Sequence, residues 1–247
     1  MGRAGRPPSA HSRDQTGAGP IDGERPISNL LSARGHDLGN ELAAALLVTA
    51  VLRSTASAAD REALGDLESA LVTMRRKLET ALALRRLIVG TTTARPASMT
   101  ARGAVDEAAR VASIELPGGN HGDGAAAVLV DRALVVRALA GLISRAATVS
   151  RDPADVQVHV LEGQAGITIA VDDSGPPDEV IRIAAMLRSD GGGVKGGTAT
   201  IELAFARLVA ELHGGSLAVA ASAAGGATIS IVLPPALPDP ALDRAGE

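Results

Sequence analysis

The sequence predicts an α+β chain in two parts: an antiparallel helical hairpin, forming a four-helix bundle in a dimer, followed by an α/β sandwich. Three observations predict it. After a first interval of seven, apolar residues recur at alternating four- and three-residue steps through Leu31, Leu38, Leu42, Ala45, Thr49 and Leu52. A second stripe runs through Leu64, Leu67, Leu71, Met74, Leu78, Ala81 and Ile88, broken only by Arg85. From about residue 98 to 234 the pattern changes to short strands alternating with helices.

Residues 1–26 are rich in Gly, Pro, Ser and Arg without periodicity, which predicts a disordered leader. A first helix is expected over 28–55 and a second from Asp60, a good N-cap residue, so that 27–90 form the hairpin. Two long helices with a short connection fold back on each other. A lone hairpin leaves its stripe half uncovered, and pairing two copies is the natural remedy. Residues 90–97, with three Thr and a Pro, read as a linker. Within 98–234, a helix is expected over 100–112, a loop over 117–124 and a strand over 126–130. Asp131 then caps a helix carrying Leu134, Ala138, Leu142 and Arg145 at helical spacing. Residues 156–161 and 166–172 read as neighbouring strands, and 201–212 as a helix that closes on Gly214-Gly215. Residues 217–219 and 227–233 make a last strand pair, and 235–247 a frayed tail.

Composition excludes several function classes. The formal net charge is −4 and no basic patch with interleaved aromatics exists, which argues against nucleic acid. Without cysteine there is neither a disulfide framework nor a thiolate metal site, and no metal site is expected. Trp and Tyr are absent and Phe205 is the single aromatic, so the core must be built from Ala, Val, Leu and Ile. No apolar run reaches the roughly 18 residues of a membrane span. Arg3, Arg6 and Arg13 are not followed by an apolar segment of the secretory kind. A cytoplasmic location with no membrane partner is the expectation.

The residues with the most chemistry lie in the first helix. His36 is about 200° round the helix from Leu38 and points away from the seam, with Asn40 one turn on and Asp37 the next residue. An imidazole beside a carboxylate is a fit phosphoryl acceptor, with Asp37 orienting the ring or taking its proton. On spacing alone, an ordinary solvent-facing histidine of a bundle helix fits as well. The run His36-Asp37-Leu38-Gly39-Asn40-Glu41-Leu42 resembles the phosphoacceptor box of sensor histidine kinases, H-[ED]-L-x-[NT]-P-L. The resemblance implies that His36 is phosphorylated, that Asp37 is the adjacent acid/base, and that Asn40 orients water or an incoming aspartate. Glu41 replaces the usual proline, so the helix should run on unkinked.

Residues 100–234 resemble the ATP-binding domain of the same kinases, a Bergerat-type α/β sandwich. The anchors are Val130-Asp131, the run VDDSGP over 171–176 (the G1 box), ELHGGSL over 211–217 and ATISIVLP over 227–234. The departures fall in the nucleotide site. Gly141 and Arg145 stand where the N-box carries two asparagines, and a guanidinium has no lone pair for Mg²⁺. Asp173 keeps the place of the acid that bonds the adenine amino group, with Gly175 beside it. Pro177 replaces a glycine, and Glu202 puts an anion where triphosphate would lie. Residues 191–197 keep a lid-like loop with Lys195 as its cation.

These features together imply a histidine phosphotransfer protein of a two-component relay. His36 would take a phosphoryl group from a receiver-domain aspartate and pass it to another, with Mg²⁺ supplied by the receiver. No cofactor would be held firmly, and Asp173 and Gly175 would mark a vestigial ATP site. The implied partners are a response-regulator receiver domain, a second copy of the chain and an upstream hybrid kinase. Two rivals stay open: an active soluble histidine kinase that autophosphorylates with ATP, and a non-catalytic dimeric scaffold in which His36 is incidental.

Overall fold

The computed structural model describes residues 24–117, 126–163, 166–188 and 199–235. Residues 1–23 of the expected leader, His121, the lid loop with Lys195 and nearly all of the expected tail lie outside them, while residues 24–26, expected to be disordered, open the first helix. Helix α1 (Glu24–Thr55) and helix α2 (Ala58–Ile88) are joined by two residues and fold back antiparallel. The Arg53–Glu68 ion pair (2.6 Å) near the turn and the packing of Gly35 on Leu82 far from it fix that direction. A Cβ on Gly35 would lie 2.5 Å from Leu82 Cδ2, so the missing side chain lets the helices close up beside His36.

The cap of α2 differs from the expectation. Ser57, not Asp60, is the N-cap: its Oγ accepts from the Asp60 N–H (3.3 Å) and donates to Asp60 Oδ2 (2.6 Å). Asp60 thus sits three positions inside the helix and acts as the reciprocal partner of the cap. The apolar seam of α1 also divides. Leu42 and Thr49 are buried and Ala45 is half-buried, whereas Leu38 and Leu52 stay half exposed. Thr49 satisfies its hydroxyl on the Ala45 carbonyl (2.8 Å). On α2, Thr80 and Ala83 are buried, while Leu67 and Met74 are exposed.

The second part is a two-layer sandwich. Strands β3 (Gln157–Gly163), β4 (Gly166–Asp172), β5 (Ser216–Ala221) and β6 (Ala227–Leu233) form an antiparallel sheet in the order β3-β4-β6-β5. The central strands carry the core side chains Ile167, Ile169, Ile229, Ile231 and Leu233, and β6 alternates buried and half-buried along its whole length. Helices α3 (Ala101–Ala112), α4 (Arg132–Val149) and α6 (Ala199–Leu212) supply most of the rest of that core, to which Ala83 of α2, Val158 and Val160 of β3, Val128, Val130 and Ile183 also belong. Alanine dominates the buried face of α3, and Phe205 of α6 is fully buried at the centre.

Two elements depart from the sequence reading. Within the expected linker and just beyond it, Ala97–Thr100 form a short strand, β1, paired with β2 (Ala127–Val130). Asp178–Arg188 form helix α5, directly after Pro176-Pro177. No helix among the described residues is long and apolar enough to cross a membrane.

Candidate functional site

Asp131 caps α4, accepting the Leu134 N–H on its side chain (3.1 Å). Its own backbone N–H donates to His213 Nε2 (2.8 Å), while His213 Nδ1 lies 2.7 Å from the Val209 carbonyl. That pairing requires the neutral ring with its proton on Nδ1. His213 therefore ties the end of α6 to the start of α4, and these two helices carry Gly141, Arg145 and Glu202.

Arg145 projects from α4 into the sandwich and is 5 % exposed; Asp173, after β4, is 1 % exposed. Arg145 Nη1 donates to Asp173 Oδ2 (2.8 Å), and Nη2 pairs with Glu179 Oε1 of α5 (2.8 Å). The second contact is an ion pair without hydrogen-bond angles, and Nε has no hydrogen-bond partner. Asp173 Oδ1 accepts from the Gly175 and Ala227 N–H groups, each at 3.0 Å. Both carboxylate oxygens are thus engaged by the protein itself. Ser174 is fastened too, accepting from Arg151 N–H and donating to Asp155 Oδ2 (2.7 Å). Gly175 is needed where it is, since a Cβ would meet Asp173 Oδ1 at 3.0 Å and Val149 at 3.1 Å.

Glu202, in the first turn of α6, lays its side chain over Gly141: a Cβ there would be 3.2 Å from Glu202 Cγ. Burial raises the Glu202 carboxyl above its ordinary value, opposed by its own backbone hydrogen bond and by Lys77, Arg76 and Arg145. Two of those cations belong to α2, so the hairpin contributes charge to this end of the sandwich.

Arg145 offers a metal no electron pair, both Asp173 oxygens already accept hydrogen bonds from the protein, and Glu202 sets a carboxylate beside Gly141. Among the described residues no group of three or more His, Cys, Asp or Glu is placed to hold a metal ion.

The sequence-predicted acceptor residues lie elsewhere, on α1. His36 falls in the helix between buried Gly35 and exposed Asp37, and Asn40 is exposed one turn on. Leu47 and Val51, 67 % and 58 % exposed, lie seven and eleven residues after Asn40 and so on its face of the helix. Sequence reasoning missed that apolar patch, because it followed the heptad seam. It also missed Glu179, Arg76 and Lys77, whose approach to Arg145 and Glu202 depends on folding.

Comparisons with known proteins agree with this architecture. Residues 130–237 match the family described as histidine kinase-, DNA gyrase B-, and HSP90-like ATPase. Full-length ShkA, crystallised in complex with AMPPNP, is similar over 85 % of this chain and 47 % of its own, at 18 % identity and a TM-score of 0.56. The chain thus spans about half the length of that protein and shares its fold across hairpin and sandwich. The ATP-binding domain of PrrB from Mycobacterium tuberculosis is 22 % identical over 57 % of this chain and 98 % of its own, with a TM-score of 0.44. The cytoplasmic segment of the histidine kinase QseC is 15 % identical over 65 % of this chain and 95 % of its own, with a TM-score of 0.45. No curated protein matches the chain.

Proposed function

We propose that this protein is a histidine-kinase-like component of a two-component signalling system. In this reading His36 accepts a phosphoryl group from a receiver-domain aspartate and hands it to another. The imidazole nitrogen attacks phosphorus, the aspartate carboxylate leaves, and Asp37 orients the ring or takes its proton. Asn40 directs the incoming group. The exposed Leu47 and Val51 give a receiver an apolar footing below the acceptor. The receiver supplies Mg²⁺, and a second copy of the chain covers the outer hairpin face.

One observation carries the choice of a receiver over ATP as donor: Arg145 is buried against Asp173 and Glu179 in the place of the metal-holding asparagine. Phosphoryl transfer from ATP relies on positioning and charge neutralisation by a metal, and this arrangement offers no ligand for one. A second reading, an active soluble kinase that autophosphorylates with ATP, is favoured by the family match over 130–237. A non-catalytic scaffold has no such observation behind it.

The deciding experiment incubates the full chain with phosphorylated receiver domains, and separately with γ-labelled ATP and Mg²⁺. Acid-labile phosphate on His36 from the receiver alone is the expected result. Label on His36 from ATP alone establishes the kinase reading, and label on neither route, or on another histidine, removes both.

A further inference from the structure

A cleft of about 460 Å³ lies between the hairpin and the sandwich, outside every residue assigned above to acceptor or nucleotide chemistry except Arg76. Its walls are α2 on one side, and the end of α3 with the later turns of α4 on the other. A smaller cavity of about 170 Å³ lies beyond, and Arg76 borders both.

Arg76 is half-buried and makes no ion pair within 4.0 Å and no side-chain hydrogen bond among the described residues. Burial lowers its pKa, with Glu202 pulling the other way from a distance. With Glu202 beyond ion-pair distance, the half-buried guanidinium keeps unused donors, and an incoming anion can take them up. Across the cleft, the Ser144 hydroxyl is sealed from solvent and has no hydrogen-bond partner. Arg53 and Glu68, also in the wall, neutralise each other at 2.6 Å, which leaves the lining with one net positive charge. The remaining wall is aliphatic where Val72, Val111 and Ile114 meet. Charge, an unused hydroxyl and an apolar flank coincide in one space of ligand size.

We propose that this cleft binds a small organic anion, a carboxylate or phosphate head at Arg76 and Ser144 with a short apolar body against Val72, Val111 and Ile114. Such a ligand bridges α2 to α3 and α4 and so fixes the hairpin relative to the sandwich. The site does not depend on what His36 does, and binding is measured without any phosphoryl donor.

The test is isothermal titration calorimetry on the full chain at low ionic strength with n-butyl phosphate, butyrate, inorganic phosphate and n-butylammonium. Saturable binding of butyl phosphate or butyrate is expected, with butyl phosphate about tenfold or more tighter than inorganic phosphate because of its buried methylenes. Arg76→Gln should weaken binding by about tenfold or more, and Arg75→Gln, one residue along and exposed, should leave it unchanged. Val111→Asp, at an exposed position, adds a like charge to the wall without disturbing the core, and should also weaken binding about tenfold. The proposal is overturned if neither organic anion saturates by about 10 mM, a concentration worth under 3 kcal/mol. It is equally overturned if butylammonium or inorganic phosphate binds as well as they do, or if Val111→Asp and any folded Arg76→Gln bind like the parent.

Discussion

Arg145 Nη1 lies 2.8 Å from Asp173 Oδ2, so a cation of α4 is joined directly to the carboxylate that follows β4. The pair is buried, and Glu179 shares the guanidinium. Removing one partner of such a pair leaves an uncompensated charge in the interior. Arg145→Ala is therefore expected to lower unfolding stability by about 3–5 kcal/mol in urea titrations. A loss under about 1 kcal/mol would mean that water takes the place of the guanidinium beside the two acids.

Nucleotide binding offers a constructive counterpart. Replacing Gly141 and Arg145 with Asn and Glu202 with Gly restores an amide oxygen for a metal and removes the anion. Glu202 must change as well, because a Cβ at 141 would press on its Cγ at 3.2 Å. The triple variant should bind Mg·ATP at least about tenfold more tightly than the parent by calorimetry. Equal affinity would place the obstacle outside these three positions.

Glu202 gives a pH prediction whose sign follows from its raised pKa. Its folded value lies above the ordinary 4.5, so folding is favoured with the group protonated and penalised once it ionises. That penalty is absent well below the unfolded pKa and complete above the folded one. Glu202→Gln should match the parent in melting temperature at low pH and gain on it as pH rises through that window. A constant difference at all pH values would show that packing, not ionisation, sets the effect.

The residues proposed for transfer can be separated by rate. Asp37→Asn should slow phosphoryl transfer to His36 by roughly 10²-fold while leaving a measurable reaction, as expected for loss of a general acid/base. Asn40→Ala should change loss of phosphate to water more than exchange between partners. His36→Gln should accept nothing from phosphorylated receiver and keep its helix content by circular dichroism. Persistent label in that variant would place the acceptor elsewhere.

The proposed dimer would rest on exposed apolar residues of the hairpin, Val48, Leu52, Leu67 and Met74. Changing all four to Glu should convert a dimer into a helical monomer in sedimentation experiments. A parent chain that sediments as a monomer at micromolar concentration would remove the four-helix bundle from the account.

The legible parts of the sequence were those whose local chemistry agreed with their packing. The strand 227–233 was readable to the residue because a run rich in β-branched residues, Thr228 to Val232, is bounded by Gly225-Gly226 and Pro234. β1 was not, since four residues inside a Thr- and Pro-bearing stretch are too short to stand out from a linker, and they are a strand only because β2 pairs with them. Helix α5 was hidden behind Pro176-Pro177, which reads as a turn and here sets the start of a helix. At the site, Arg145 could be recognised as useless to a metal from its chemistry alone. Its two carboxylate partners could not, because Asp173 and Glu179 meet it only when α4, β4 and α5 have packed.

The order β3-β4-β6-β5 has a consequence for how the chain is made. The strand that follows all the others in sequence, β6, lies between β4 and β5 and supplies ladder bonds to both. During synthesis β4 therefore waits with one edge unpaired until residue 233 has left the ribosome. β5 has no neighbour at all until then. Chains stopped before residue 227 should accordingly emerge with an open, apolar strand edge and fall to proteases or aggregate, whatever the state of the hairpin.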